Sequence, residues 1–172
     1  MKTIRNILII LSMFFMTFLA TAQDQISFSI LQDAKLLVSG DKLGNEPLTT
    51  DLIFNMNWEG KQYDYYYFSI QTQYEHANLN GGYFRRYSVH GIWTLNSLLL
   101  PKLEIGFGAG IGMIHRNSEG MGSYSGTIDL SYPITKKLYA TVKNEWVRRS
   151  DLNTPQLRYN LAIGLKYKAF NF

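Results

Sequence analysis

The stretch Leu103-Glu104-Ile105-Gly106-Phe107-Gly108-Ala109-Gly110-Ile111-Gly112-Met113 alternates without a break. Leu103, Ile105, Phe107, Ala109, Ile111 and Met113 fall on one face, and Glu104 with four glycines falls on the other. A period of two is that of an extended strand, whose successive side chains point to opposite sides of a sheet. One side of this strand therefore meets grease, and the other meets something small and polar.

The same period runs outward in both directions. Tyr66, Phe68, Ile70, Thr72 and Tyr74 oppose Ser69, Gln71, Gln73 and Glu75; Tyr124, Gly126, Ile128, Leu130 and Tyr132 oppose Ser125, Thr127, Asp129 and Ser131. Leu157, Tyr159, Leu161, Ile163, Leu165 and Tyr167 oppose Arg158, Asn160, Ala162, Gly164, Lys166 and Lys168. Shorter runs over 51–58, 86–93 and 138–146 behave alike, with Asn144 out of pattern. A first strand over about 26–38 has its apolar face interrupted by Gln32. Together these predict eight strands. Pro47, Pro101, Pro133 and Pro155 are expected between strands, since a proline cannot donate to a ladder. The connections 39–47, 59–61, 76–81, 96–101, 116–121, 133–136 and 150–155 are short, so neighbouring strands are expected to be antiparallel hairpins.

Residues 1–22 read differently. Lys2 and Arg5 precede an apolar run over 7–20, and Ala20-Thr21-Ala22 is a small-x-small cleavage site. The run is shorter than the roughly 20 residues of a spanning helix. The expected organisation is a signal peptide over 1–22, cleaved before Gln23, followed by one barrel domain over 23–172. The chain has 172 residues, 17 Lys and Arg, and 13 Asp and Glu. Without Lys2 and Arg5, 15 basic side chains face 13 acidic ones, a balance of +2. That gives no cationic field for nucleic acid. The chain has no cysteine, which excludes disulfides, thiolate metal sites and a cysteine nucleophile.

The decisive question is where the apolar faces point. Tyr66 and Tyr74, Tyr87 and Trp93, Tyr124 and Tyr132, and Tyr159 and Tyr167 sit near both ends of their strands, with Trp58 and Trp146 at single ends. Two such rings suit the two boundaries of a bilayer. Strand propensity explains the abundance of aromatics but not this placement. The polar faces hold Gly, Ser, Thr and Asn, which a narrow tube needs opposite long side chains. The long ones are Arg86, Lys143, Arg158 and Lys166, with Glu75, Glu104, Asp129 and Glu145 as expected partners. The predicted fold is all-β: an eight-stranded antiparallel up-and-down transmembrane β-barrel.

In this pattern the chain resembles the small eight-stranded outer-membrane β-barrel family, of OmpA-membrane-domain and OmpX-like architecture. Residues 161–172, ending Phe170-Asn171-Phe172, resemble the closing strand that the family presents to the barrel-assembly machinery. Phe170 and Phe172 lie out of phase with the alternation that ends at Tyr167, which implies a bulge or short extension. The resemblance implies residence in the outer membrane of a Gram-negative bacterium. The expected role is non-enzymatic, in membrane integrity, surface interaction or a very small pore, with outer-membrane lipids and lipopolysaccharide as expected partners and a monomeric state.

Candidate chemistry is sparse. The glycines of 106–112 lack the spacing and lysine of a phosphate loop. Gly91-Ile92-Trp93 resembles the lipocalin Gly-x-Trp but lies in mid-chain. His76, His90 and His115 have no metal-ligand spacing. His90 near Ser88, with Asp129 or Glu104, sketches a Ser–His–acid arrangement, so a lipid-modifying barrel enzyme is the first alternative, and a soluble exported lipocalin-like carrier the second. No catalytic residue, cofactor site or metal site is assigned. Arg85, Arg86, Arg116, Arg148 and Arg149 are candidates to meet lipopolysaccharide phosphates at the outer rim.

Overall fold

The computed structural model describes residues 23–42, 44–80, 82–97, 100–116, 119–150 and 156–171. Residues 1–22, where a signal peptide is expected, the connection 151–155 and Phe172 lie outside them. The strands are β1 (Gln23–Asp33), β2 (Asp51–Gly60), β3 (Tyr66–Leu79), β4 (Gly82–Asn96), β5 (Glu104–Arg116), β6 (Glu119–Pro133), β7 (Leu138–Arg149) and β8 (Gln156–Asn171). Each pairs antiparallel with the next, and β1 pairs with β8 to close the barrel. Closure leaves no sheet edge, so the backbone polar groups of every strand find partners within the wall. The ends of β1 and β8 define a terminal end; the β1–β2, β3–β4, β5–β6 and β7–β8 connections define a far end.

Three sequence expectations are corrected. The first strand stops at Asp33, and Ala34–Val38 forms a short helix, α1. Asp33 ends the strand because its carboxylate caps the helix, accepting from the Leu36 amide at 2.7 Å. Pro133 is the last residue of β6 rather than a linker residue, a terminal position where a missing donor is tolerated. His76 is inside β3, paired with Arg85, and half-buried between the rings of Tyr74 and Tyr83.

The polarity is inside-out, as the alternation predicts. Phe68, Phe107 and Ile163 are 51%, 47% and 40% exposed on the outer wall. Arg86, Lys143 and Glu145 are buried at 0%, 1% and 1%. Trp58, Tyr66, Trp93, Tyr132 and Tyr167 ring the terminal half of the outer wall, and Tyr74, Tyr87, Tyr124, Trp146 and Tyr159 the far half. The eight-residue step from Tyr66 to Tyr74 is about 27 Å along the strand, or about 20 Å along the axis at a tilt of about 40°. Ile163 lies midway between Tyr159 and Tyr167. Ile163→Arg is expected to cost about 2–4 kcal/mol of stability in lipid vesicles, measured by urea unfolding. A cost below about 0.5 kcal/mol, that of an ordinary surface substitution, would mean this wall does not meet hydrocarbon.

Two outward polar residues are satisfied locally. Gln32, the interruption in β1, donates to the Thr49 carbonyl at 3.1 Å and accepts from the Asp51 amide at 3.1 Å. Asn144 accepts from the Tyr159 hydroxyl at 2.6 Å. The phase break in β8 is a bulge: Phe170 pairs with Ile26 and Lys168 with Ser27, so Ala169 is the extra residue and Phe170 returns to the outer wall.

Candidate functional site in the barrel interior and at its rim

The interior is a stack of three layers. Nearest the terminal end, Lys166 and Lys168 of β8 face Glu59 of β2 and Glu104 of β5. Lys166 lies 2.7 Å from Glu59 and 3.4 Å from Glu104; Lys168 lies 2.6 Å from Glu104 and 3.8 Å from Glu59. Tyr67 donates to Glu104 at 3.2 Å, and Ser27 to Glu59 at 2.6 Å. Two cations and two carboxylates thus form a closed square, each corner fixed by a different strand or strand position.

In the middle layer Arg86 lies 2.8 Å from Glu145 and 3.3 Å from Glu75, and donates to Ser125 at 2.8 Å. Lys143 donates to the Gln71 and Gln73 side-chain oxygens, each at 2.6 Å. Gln73 in turn donates to Glu145 at 3.1 Å. The residues come from β3, β4, β6 and β7, so the network ties opposite walls together. Four glycines on β5 make the room. A Cβ on Gly110 would fall 1.5 Å from the His90 ring, in space the imidazole occupies.

Toward the far end the interior turns apolar. Leu31, Ile53 and Ala162 form one cluster, and Ala77, Phe84 and Ile114 another. The inward face was expected to be polar, and these side chains add an apolar layer to it. The Arg149 guanidinium covers the Phe84 ring at 4.2 Å from its centre. Outside this plug, the loop after α1 folds over the β3–β4 turn: Asp41 holds the Asn45 side chain at 2.8 Å, and Asn45 accepts from the Asn80 amide.

Of the charges predicted to line the tube, Arg86, Lys143, Lys166, Glu75, Glu104 and Glu145 are brought together. Asp129 instead accepts from its own neighbour Thr127 at 2.7 Å, and Arg158 is half-buried. Glu59 and Lys168 complete the square but were not expected as ion partners, because Glu59 reads as turn and Lys168 as strand end. Tyr67 was missed as well; its inward phase between Tyr66 and Phe68 is the signal that could have found it. An interior void of ≈ 30 Å³ beside Lys166 has room for about one or two waters, and among the described residues the layers on either side of it fill the tube.

The sketched Ser–His–acid arrangement is not formed with Ser88, Asp129 or Glu104. His90 Nε2 lies 3.0 Å from Ser125 Oγ and 3.4 Å from Glu145, while Nδ1 faces Gln71 at 3.2 Å. Serine and carboxylate share one ring nitrogen, whereas a triad needs the acid on the opposite one. His90 is buried, 1% exposed. At the rim, Arg86 is withdrawn into the interior and cannot meet a phosphate, and Arg149 turns over Phe84. Arg85 and Arg148 are exposed on the outer wall, and Arg148 donates to the Tyr124 hydroxyl. Among the described residues no group of acidic, histidine or cysteine side chains has metal-site geometry.

No protein-family model matches the sequence, and no curated protein matches it. Solved structures do match in shape. The outer membrane protein Ail of Yersinia pestis, in a phospholipid bilayer nanodisc, aligns with a TM-score of 0.56 at 13% identity, over 86% of this chain and 99% of that one. A structure from the de novo design of transmembrane β-barrels aligns with a TM-score of 0.53 at 14% identity, over 86% of this chain and 97% of that one. The chain has the fold of eight-stranded transmembrane barrels. At these identities the likeness carries the architecture and nothing about activity.

Proposed function

We propose that this chain is a small integral outer-membrane barrel without catalytic activity, acting through its outer wall and far-end rim in membrane integrity or surface interaction. The observation that carries this reading is the inverted wall: aromatics and aliphatics outside, paired charges inside. On this reading residues 1–22 are a cleaved export signal and the far end faces the cell exterior. Lipids contact the band between the aromatic rings, and Arg85 and Arg148 reach lipopolysaccharide phosphates. The barrel-assembly machinery inserts the chain, which works as a monomer. The plugged interior argues against a pore. The runner-up, a lipid-modifying enzyme, loses its support with the misplaced histidine, and a soluble carrier would need a hollow apolar centre that this tube lacks.

Two measurements test the reading together. Cell fractionation should leave the protein in the carbonate-washed outer membrane with heat-modifiable gel mobility; release by osmotic shock would overturn the placement. In planar bilayers the purified barrel should show no steady unitary conductance. Glu59→Ala combined with Glu104→Ala should unplug the terminal layer and introduce current noise. A stable open channel in the unaltered protein would contradict the plug.

A further inference from the structure

The outer wall of β3, β4 and β5 carries a feature that lipid-facing patterning does not require. His76, Arg85 and His115 are cross-strand partners in one row: His76 pairs with Arg85, and Arg85 with His115. Paired residues share a face and stand about 5 Å apart, so three nitrogen-bearing side chains lie side by side on the outer wall. Arg85 and His115 are exposed and His76 half-buried. Among the described residues Arg85 has no ion-pair or hydrogen-bond partner; His76 Nδ1 is buried against the wall without one, which leaves Nε2 as the nitrogen His76 can present. The outward positions around the row are Leu52, Tyr74, Asn78, Tyr83, Tyr87, Met113 and Gly120, so among the described residues no carboxylate stands beside it. Tyr74 and Tyr83 stack on His76, and Tyr87 meets the His115 ring edge-on, which fixes the imidazoles.

Directly beneath lies an open groove of ≈ 760 Å³, walled by Phe54, Met56, Tyr74, Tyr87, Val89 and Met113. Tyr74, Tyr87 and Met113 each precede or follow a row residue by two positions, one step of about 7 Å along the strand. A cationic row thus ends an apolar groove at the level of the far aromatic ring. We infer that this surface holds one lipid bearing a phosphate monoester, with its phosphate on the His76–Arg85–His115 row and an acyl chain in the groove. An arginine fork and two imidazoles offer donors to all three free oxygens of a monoester, where a diester presents two. The groove's position inside the apolar band selects a lipid over a protein partner. The inference rests on the membrane reading above and deepens it.

The test is native mass spectrometry of the full folded barrel in zwitterionic micelles, with equimolar dioleoyl phosphatidic acid and dioleoyl phosphatidylglycerol. One phosphatidic acid adduct should be retained, favoured by about tenfold, a difference of about 1.4 kcal/mol. Arg85→Gln should abolish the preference, His76→Gln with His115→Gln should reduce it, and Arg148→Gln should leave it intact. Equal retention of the two lipids, or a preference that survives Arg85→Gln, overturns the site. Displacement by glycerol 3-phosphate as effective as by phosphatidic acid overturns the part assigned to the groove. Heat-modifiable mobility of each variant separates misfolding from lost binding. A folded, membrane-embedded barrel with no preference overturns the lipid site alone, and a chain soluble without detergent overturns the membrane reading beneath it.

Discussion

Glu145→Ala is expected to lower the unfolding free energy of the barrel by about 3–5 kcal/mol, the usual cost of leaving a buried charge unpartnered. Glu145 is the hub of the middle layer, 2.8 Å from Arg86 and 3.4 Å from His90, and it accepts from Gln73. Its removal leaves the Arg86 guanidinium, fully buried, with Glu75 as its remaining carboxylate partner. The measurement is a urea titration followed by tryptophan fluorescence in lipid vesicles. The informative companion is Glu145→Ala with Arg86→Met, which removes both ends of the pair. The double variant should recover only part of the loss, because it removes the stranded guanidinium but leaves buried Glu75 without its partner at 3.3 Å. If the single substitution costs under 1 kcal/mol, on the order of an exposed ion pair, the interior is hydrated and the plug is not what holds the walls together.

Gly164→Val should be the more damaging change, because its obstacle is main chain. A Cβ at Gly164 would stand 2.0 Å from the Ile30 carbonyl oxygen and 2.8 Å from the Leu31 Cα. Both atoms belong to β1, across the seam where the barrel closes. A side chain can rotate away from such a clash, but a hydrogen-bonded strand cannot without breaking its ladder. The expected loss exceeds the 1–3 kcal/mol typical of overpacking, and the folded, heat-modifiable band should be strongly reduced. Gly126→Ala is the matched control. Its Cβ would meet nothing nearer than 4.0 Å on the outer wall, so stability should stay within about 0.5 kcal/mol. Comparable damage from both substitutions would place the fault in general glycine loss rather than in the seam.

Much of this architecture was legible from phase alone. Period two is strict from Tyr66 to Glu75 and from Gly106 to Met113 because each side of those strands has one environment. The aromatic rings could be placed for the same reason. Legibility failed where a local contact outranked the pattern. Asp33 turns the chain into α1 by capping it, and no alternation records a cap. Asn144 looked out of place until Tyr159, from the adjacent strand, supplied its donor. The apolar plug of Ile53, Phe84 and Ile114 was not read as a unit: Ile53 alternates on the polar face, and Phe84 and Ile114 lie just outside the runs over 86–93 and 103–113. The histidine site failed for a different reason: the sequence offers Ser88 two residues from His90, while the serine that meets the ring, Ser125, arrives from β6 through closure of the tube.

The seam has a kinetic meaning. Seven of the eight strand pairings join sequence neighbours, and only β1 with β8 joins segments more than 120 residues apart. Chain-closure entropy rises with the logarithm of length, so this last pairing carries roughly 2 kcal/mol more than a 20-residue hairpin. Until it forms, two raw margins of hydrogen-bonding backbone face other nascent copies. Inward-pointing lysines are one of the devices that keep such margins from sticking to one another, and β8 bears two, Lys166 and Lys168. The residues that later lock the terminal layer thus also serve as a guard against aggregation while the ribbon is still open.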